Sequence, residues 1–117
     1  MRWPALLLPI LLAGAGSAGA VGLSVGHEVL PAGTAQSACL DSAAEAFASQ
    51  GLRQLNRDAR AVFAENRESN QVFSIYCVAD RGVVTVIGAA DRFEQVASVV
   101  TALRTALRTG GNAPIRK

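Results

Sequence analysis

The sequence predicts an α+β domain in which an antiparallel sheet of three to four strands carries two amphipathic helices packed on one face. Three observations predict it. Residues 71–89 read as two β-rich runs around a tight turn. Residues 37–50 and 91–109 each place apolar side chains at helical spacing. Consecutive strand patterns bracketed by two such helices argue for segregated layers rather than alternating βαβ units.

The chain opens with one arginine, Arg2, an apolar run from Ala5 to Leu12 and a small-residue tail ending Ala18-Gly19-Ala20. A positive start, a short apolar centre and a small-x-small cut are the three parts of a secretory signal peptide. Residues 1–20 are therefore expected to be cleaved after Ala20. The alternative, an uncleaved anchor, would need about 20 apolar residues. Cleavage leaves 97 residues with no stable membrane span, and a periplasmic or secreted location.

Residues 21–36 follow as a flexible lead-in or a short strand. Val21, Leu23 and Val25 alternate with small residues, while Gly22 and Gly26 weaken a strand reading. The domain proper is expected over residues 37–109. Ser37 offers an N-cap. Leu40, Ala43, Ala44 and Phe47 then share one helical face, with Asp41 in the first turn and Gly51 as the stop. Residues 52–70 are polar. Within them Ala61-Val62-Phe63-Ala64 marks a strand over about residues 59–65, and residues 66–70 a turn.

Gln71–Ala79 is rich in β-branched and aromatic residues. Phe73, Ile75 and Cys77 share one parity and belong to the core. Val72, Ser74, Tyr76 and Val78 share the other. Asp80-Arg81-Gly82 supplies the turn, with glycine where a positive φ is needed, and Val83–Ala89 the return strand. Asp91-x-x-Glu94 has the form of a capping box. Phe93, Val96, Ala97, Val100, Leu103 and Leu107 continue at helical spacing, and Arg104 and Arg108 suit the C-terminal dipole. Residues 110–117 are expected to be a disordered tail.

Export changes the meaning of the two cysteines. In an oxidising compartment Cys39 and Cys77 are expected to form the single available intramolecular disulfide. The thiol alternatives lack their motifs. No Cys-x-x-Cys is present, and a zinc site would have only two cysteines and His27 to draw on.

Other chemistries are missing too. There is no phosphate loop, dinucleotide fingerprint or Gly-x-Ser-x-Gly elbow. His27 is the only histidine, so it alone would have to serve a catalytic triad or a metal or haem site. Glu65 and Glu68 flank a polar turn and read as solvated surface. The sequence thus assigns no catalytic residue, no metal ligand and no cofactor. With 11 basic and 9 acidic residues overall, and one basic residue removed with the leader, near-neutrality gives no footprint for nucleic acid. Phe73 and Tyr76, on opposite strand parities, do not make a base-stacking platform.

The Cys-bearing first helix with Cys39, the Ile75-Tyr76-Cys77 strand and the Val83–Asp91 run into Gly-Ala-Ala-Asp together resemble small exported bacterial α+β proteins with two cysteines. The resemblance covers residues 37–107. It implies a bacterial periplasmic setting and brings no activity or catalytic residues.

The function expected from these residues is a non-enzymatic binding module stabilised by one disulfide. Its partner would be another protein or a cell-envelope component, met through Val72, Ser74, Tyr76 and Val78 or through an exposed edge strand. Two alternatives compete for that face: it packs under the N-terminal segment, or it makes a homodimer. The alternative function is a thiol-dependent redox or enzymatic accessory factor using Cys39 and Cys77.

Overall fold

A computed structural model describes residues 21–110. The predicted leader, 1–20, and the predicted tail beyond Gly110 lie outside the described residues.

The order of elements is β1 (Gly22–Val29), α1 (Gln36–Ser49), β2 (Arg53–Arg57), β3 (Ala61–Asn66), β4 (Gln71–Val78), a 3-10 turn (Ala79–Arg81), β5 (Val83–Ala90) and α2 (Phe93–Gly110). The fold is α+β, as the sequence predicts. The sheet has five strands rather than three to four, in the order β1-β5-β4-β3-β2, and every neighbouring pair is antiparallel. The lead-in settles as the optional fourth strand, and one unpredicted segment, Arg53–Arg57, adds the fifth. The lead-in pairs with β5 from Gly22↔Ala90 to Val29↔Val83, so it joins the sheet instead of lying over it. Arg53–Arg57 pairs with β3 although its side chains are exposed throughout. A strand that buries nothing leaves no hydrophobic alternation to read.

The β4–β5 hairpin forms where expected. Gly82 closes the 3-10 turn at φ 71°, a conformation that costs an L side chain about 1–2 kcal/mol. β3 starts two residues later than predicted. Asp58 Oδ1 accepts from the N–H groups of Arg60 and Ala61 at 2.8 and 2.9 Å, so Ala59 and Arg60 belong to the turn, not the strand. Those two N–H groups hold the Asp58 carboxyl below its ordinary value.

The helix termini differ from the expected caps. Helix α1 starts one residue early, with Ala35 at the cap position and no side-chain cap bond. Ser37 is therefore inside the first turn and Asp41 beyond it; Asp41 pairs instead with Arg57 of β2 at 2.8 Å. Gln36 anchors this end. Its Nε2 donates to the carbonyls of Ala59 and Cys77, and its Oε1 accepts from the Ala79 N–H. The other end closes as predicted near Gly51, where Leu52 N–H donates to Phe47 O and buries its side chain. In α2 the capping box is shifted by one residue: Gln95 Oε1, not Glu94, reaches back to accept from the Arg92 N–H at 2.9 Å.

Both helices cover the same sheet face, α1 over β2, β3 and β4 and α2 over β1 and β5. The core is the predicted parity set Phe73, Ile75 and Cys77 with Val62, Ala64, Val84 and Val86 from the sheet. Phe47, Leu40 and Ala43 of α1 and Val96, Val100 and Leu103 of α2 close over it. Phe93 departs from the predicted buried face and is exposed. At that point it is the backbone of α2 that touches the sheet. A Cβ placed on Gly22 would run into the backbone of Arg92 and Phe93. The variant Gly22→Ala is expected to cost about 1–3 kcal/mol by forcing this contact apart, read as a lower urea midpoint; an unchanged midpoint would mean that α2 does not seat on β1.

Glu28 makes the second tie between β1 and α2. Its Oε2 accepts from Arg104 Nε at 2.8 Å and Arg108 Nη1 at 2.9 Å, so these arginines serve β1 as well as the helix dipole. Partial burial pushes the Glu28 carboxyl up. The two guanidinium hydrogen bonds and charges outweigh it and hold the carboxyl below its ordinary value of 4.5. A lowered folded-state value means the added stability is complete above the ordinary value and is lost as pH falls through the lowered one. Glu28→Gln is therefore expected to flatten the acid side of the stability profile, measured by urea unfolding at about pH 7 and about pH 3. Equal acid losses in both proteins would show that the triad adds nothing.

Candidate functional site: the open sheet face

The predicted contact residues form one surface. Val72, Ser74, Tyr76 and Val78 point away from the helices, alternating with the buried Gln71, Phe73, Ile75 and Cys77. Register brings neighbours that sequence reasoning left out. Val72 lies opposite Ala89, which lies opposite Leu23. Ser74 continues through Ile87 to Val25, Tyr76 through Thr85 to His27, and Val78 through Val83 to Val29. On the other side Phe63 faces Ser74, and Glu65 faces Val72. The alternation of Val21, Leu23 and Val25 was the available signal for β1; its position in the sheet depends on long-range pairing.

Across β1, β5 and β4 this surface carries no carboxylate and no lysine or arginine. The charges gather at the β2–β3 margin, where Glu65 pairs with Arg53 at 2.8 Å and Arg67 at 3.5 Å. The outer residues are well exposed: Leu23 is 56%, Val25 58%, Val29 78% and Val72 52% accessible. No described residue covers them. The 21–36 segment does not supply a lid, because its strand is part of the same face. With strands about 4.8 Å apart and about 3.3 Å per residue, the face spans roughly 500 Å², with Ser74, Thr85, His27 and Glu65 among the residues on it. Its apolar part is a substantial share of the patch size that is often functional on monomers.

At the β3–β4 side an open cavity of about 420 Å³ joins the face. Phe63, Ser74 and Tyr76 form its floor, and the Asp58–Ala61 turn its wall. Two rings with a hydroxyl beside them offer apolar area and a directed hydrogen bond, the usual anchors of a protein contact. A second cavity, about 490 Å³, lies at the end of β4 beside Gln36, Arg60 and Asp80. Gln36 already spends its polar atoms there on the three backbone groups it holds.

The cysteines are joined as predicted. Cys39 and Cys77 form a disulfide with Cα atoms 6.1 Å apart, and each is 1% exposed. Both sulfurs are thus bonded and enclosed between α1 and β4, which leaves no thiolate to act as nucleophile. His27 is exposed on β1, with Thr85 as its cross-strand neighbour. Among the described residues no group of three or more potential metal ligands comes together. Among them also, no helix is long and apolar enough to cross a membrane.

A comparison with family models and a comparison with curated proteins each find no match to this chain.

Proposed function

We propose that the protein is a small exported, non-enzymatic binding module that meets another protein or a cell-envelope component through its open sheet face. The single observation that carries this reading is the uncharged apolar surface around Val72, Ser74, Tyr76 and Val78, left uncovered by the described residues and bordered by the Phe63–Tyr76 cavity. A buried disulfide fits an oxidising compartment. So does the leader-like pattern of residues 1–20. Together they support a periplasmic or secreted location after cleavage at Ala20. Tyr76, on the floor of the cavity, acts as the anchor, Val72 and Val78 flank it along β4, and the Arg53–Glu65 margin beside Val72 forms part of the polar rim.

Alanine at both Tyr76 and Val78 tests the reading. Photo-crosslinking from the face in envelope and supernatant fractions is expected to yield one specific adduct, and the double variant to weaken its capture at least tenfold, about 1.4 kcal/mol. The thermal midpoint should stay nearly unchanged, because Tyr76 is exposed, Val78 is half-buried and neither belongs to the core. A collapsed midpoint with no specific loss of capture would show that these residues serve packing, and would overturn the assignment.

A further inference from the structure

Independently of the partner-binding reading, we propose that two copies of the chain join edge to edge through β1, forming a two-fold symmetric dimer with one continuous ten-stranded sheet. The backbone of β1 points to it. Leu30 N–H donates to Gly82 O at 2.9 Å, so this pair belongs to the bonded set of the β1–β5 ladder. Bonded and non-bonded pairs alternate in an antiparallel ladder. Glu28↔Val84, Gly26↔Val86 and Ser24↔Gly88 are therefore bonded to β5. Leu23, Val25, His27 and Val29 then aim their N–H and C=O groups outward, where the sheet has no further strand among the described residues.

The two edges of the sheet are treated differently. β2 is five residues long, carries Arg53 and Arg57, and is broken by a bulge between Gln54 and Asn56. These are the devices that blunt an edge. β1 runs for eight residues without proline, lysine or a register shift. Its one charged side chain, Glu28, is engaged by Arg104 and Arg108. Open-ended growth from β1 of one copy to β2 of the next meets the blunted edge. Pairing of β1 with β1 closes on itself.

Register follows from the same alternation. Outward-bonding residues must face one another, which places odd positions opposite odd positions. A two-fold axis at Gly26 sets Leu23 against Val29 of the second copy and Val25 against His27. It makes about eight inter-chain backbone bonds, two for each of four pairs. Among the side chains of β1 no like charges meet along the seam, since Glu28 falls opposite Ser24 of the second copy; the Arg104 side chains that lie over Gly26 flank the axis, each paired with Glu28 of its own chain. The strand is thus self-complementary in hydrogen bonding, charge and side-chain character. A seam of this kind lies at the small end of interface sizes, so a micromolar dimer is expected.

The test is sedimentation equilibrium on protein expressed from the full coding sequence, from about 1 to about 200 µM. The wild type is expected to pass reversibly from monomer to dimer. Val25→Pro removes an N–H that no strand of the same chain uses, which an edge position tolerates. It is expected to keep the circular dichroism spectrum and weaken the dimer at least tenfold. Val25→Lys, which retains the N–H but charges the seam, should do the same if the proline variant fails to fold. Val72→Lys, two strands away on the open face, should leave the dimer intact. A wild type that stays monomeric over the whole range overturns the proposal. So does a dimer that Val72→Lys breaks and the two Val25 variants do not, which would place the copies face to face.

Discussion

Replacing Cys39 and Cys77 together with alanine is expected to lower the thermal midpoint by about 15–30 °C. The bridge closes a loop of 38 positions. In the chain-entropy account, such a loop raises the free energy of the unfolded state by about 4 kcal/mol. A domain of this size has only about 5–10 kcal/mol in total, and each kcal/mol moves its midpoint by about 4–8 °C. The position of the bridge adds to its effect. Cys39 lies in the first turns of α1 and Cys77 near the end of β4, so the bond fixes the first helix to the middle of the sheet. Gln36 holds the same corner through Ala59, Cys77 and Ala79. It cannot replace the covalent tie, because net hydrogen-bond contributions are only about 1 kcal/mol each. Calorimetry on the double variant checks the value; a shift below about 5 °C would show that the bridge is incidental to the fold.

Phe47→Ala is expected to cost about 3–5 kcal/mol, the range for emptying a buried aromatic site. Phe47 is fully buried, the largest of the fully enclosed side chains, and sits near the C-terminal end of α1. It belongs to one continuous core with Val62, Ala64, Phe73 and Ile75 of the sheet and Val96, Val100 and Leu103 of α2, and a close-packed interior relaxes only partly around a lost ring. The Leu52 closure of the helix hangs from the same residue, through the Phe47 carbonyl. Urea unfolding of the disulfide-intact variant gives the measurement. A loss under about 1 kcal/mol would mean that α1 packs loosely and that the bridge alone keeps it on the sheet.

Phe47 and Cys77 show what the sequence made legible. Phe47 stands at helical spacing from Leu40, Ala43 and Ala44, and the β4 alternation separates Phe73, Ile75 and Cys77 from Val72, Ser74, Tyr76 and Val78. Periodic segments carry their own evidence. The remaining elements depend on contacts far along the chain. β2, Arg-Gln-Leu-Asn-Arg, is exposed on both faces and exists because β3 offers it a ladder. β1 is weakened as a strand by Gly22 and Gly26, yet Gly22 is required where the backbone of α2 presses against it, and Gly26 leaves room for the Arg104 side chain. A local reading sees the cost of those glycines and not the helix that packs over them. The same holds for the site. Its β4 stripe is visible in the alternation, whereas Leu23, Val25, Ile87 and Phe63 join it only through register.

The surface and the bridge take their functional meaning from the compartment. A buried disulfide beneath one sheet face and an uncharged apolar opposite face suit an exported domain that binds through that face. The most direct test is the intact mass of the protein recovered from the exported fraction, taken as purified, after native alkylation and after reduction. The account predicts a chain lacking residues 1–20, two hydrogen atoms lighter than its reduced form, and inert to alkylation until it is reduced. A full-length chain whose Cys39 and Cys77 both take the alkylating reagent in the native protein would contradict it.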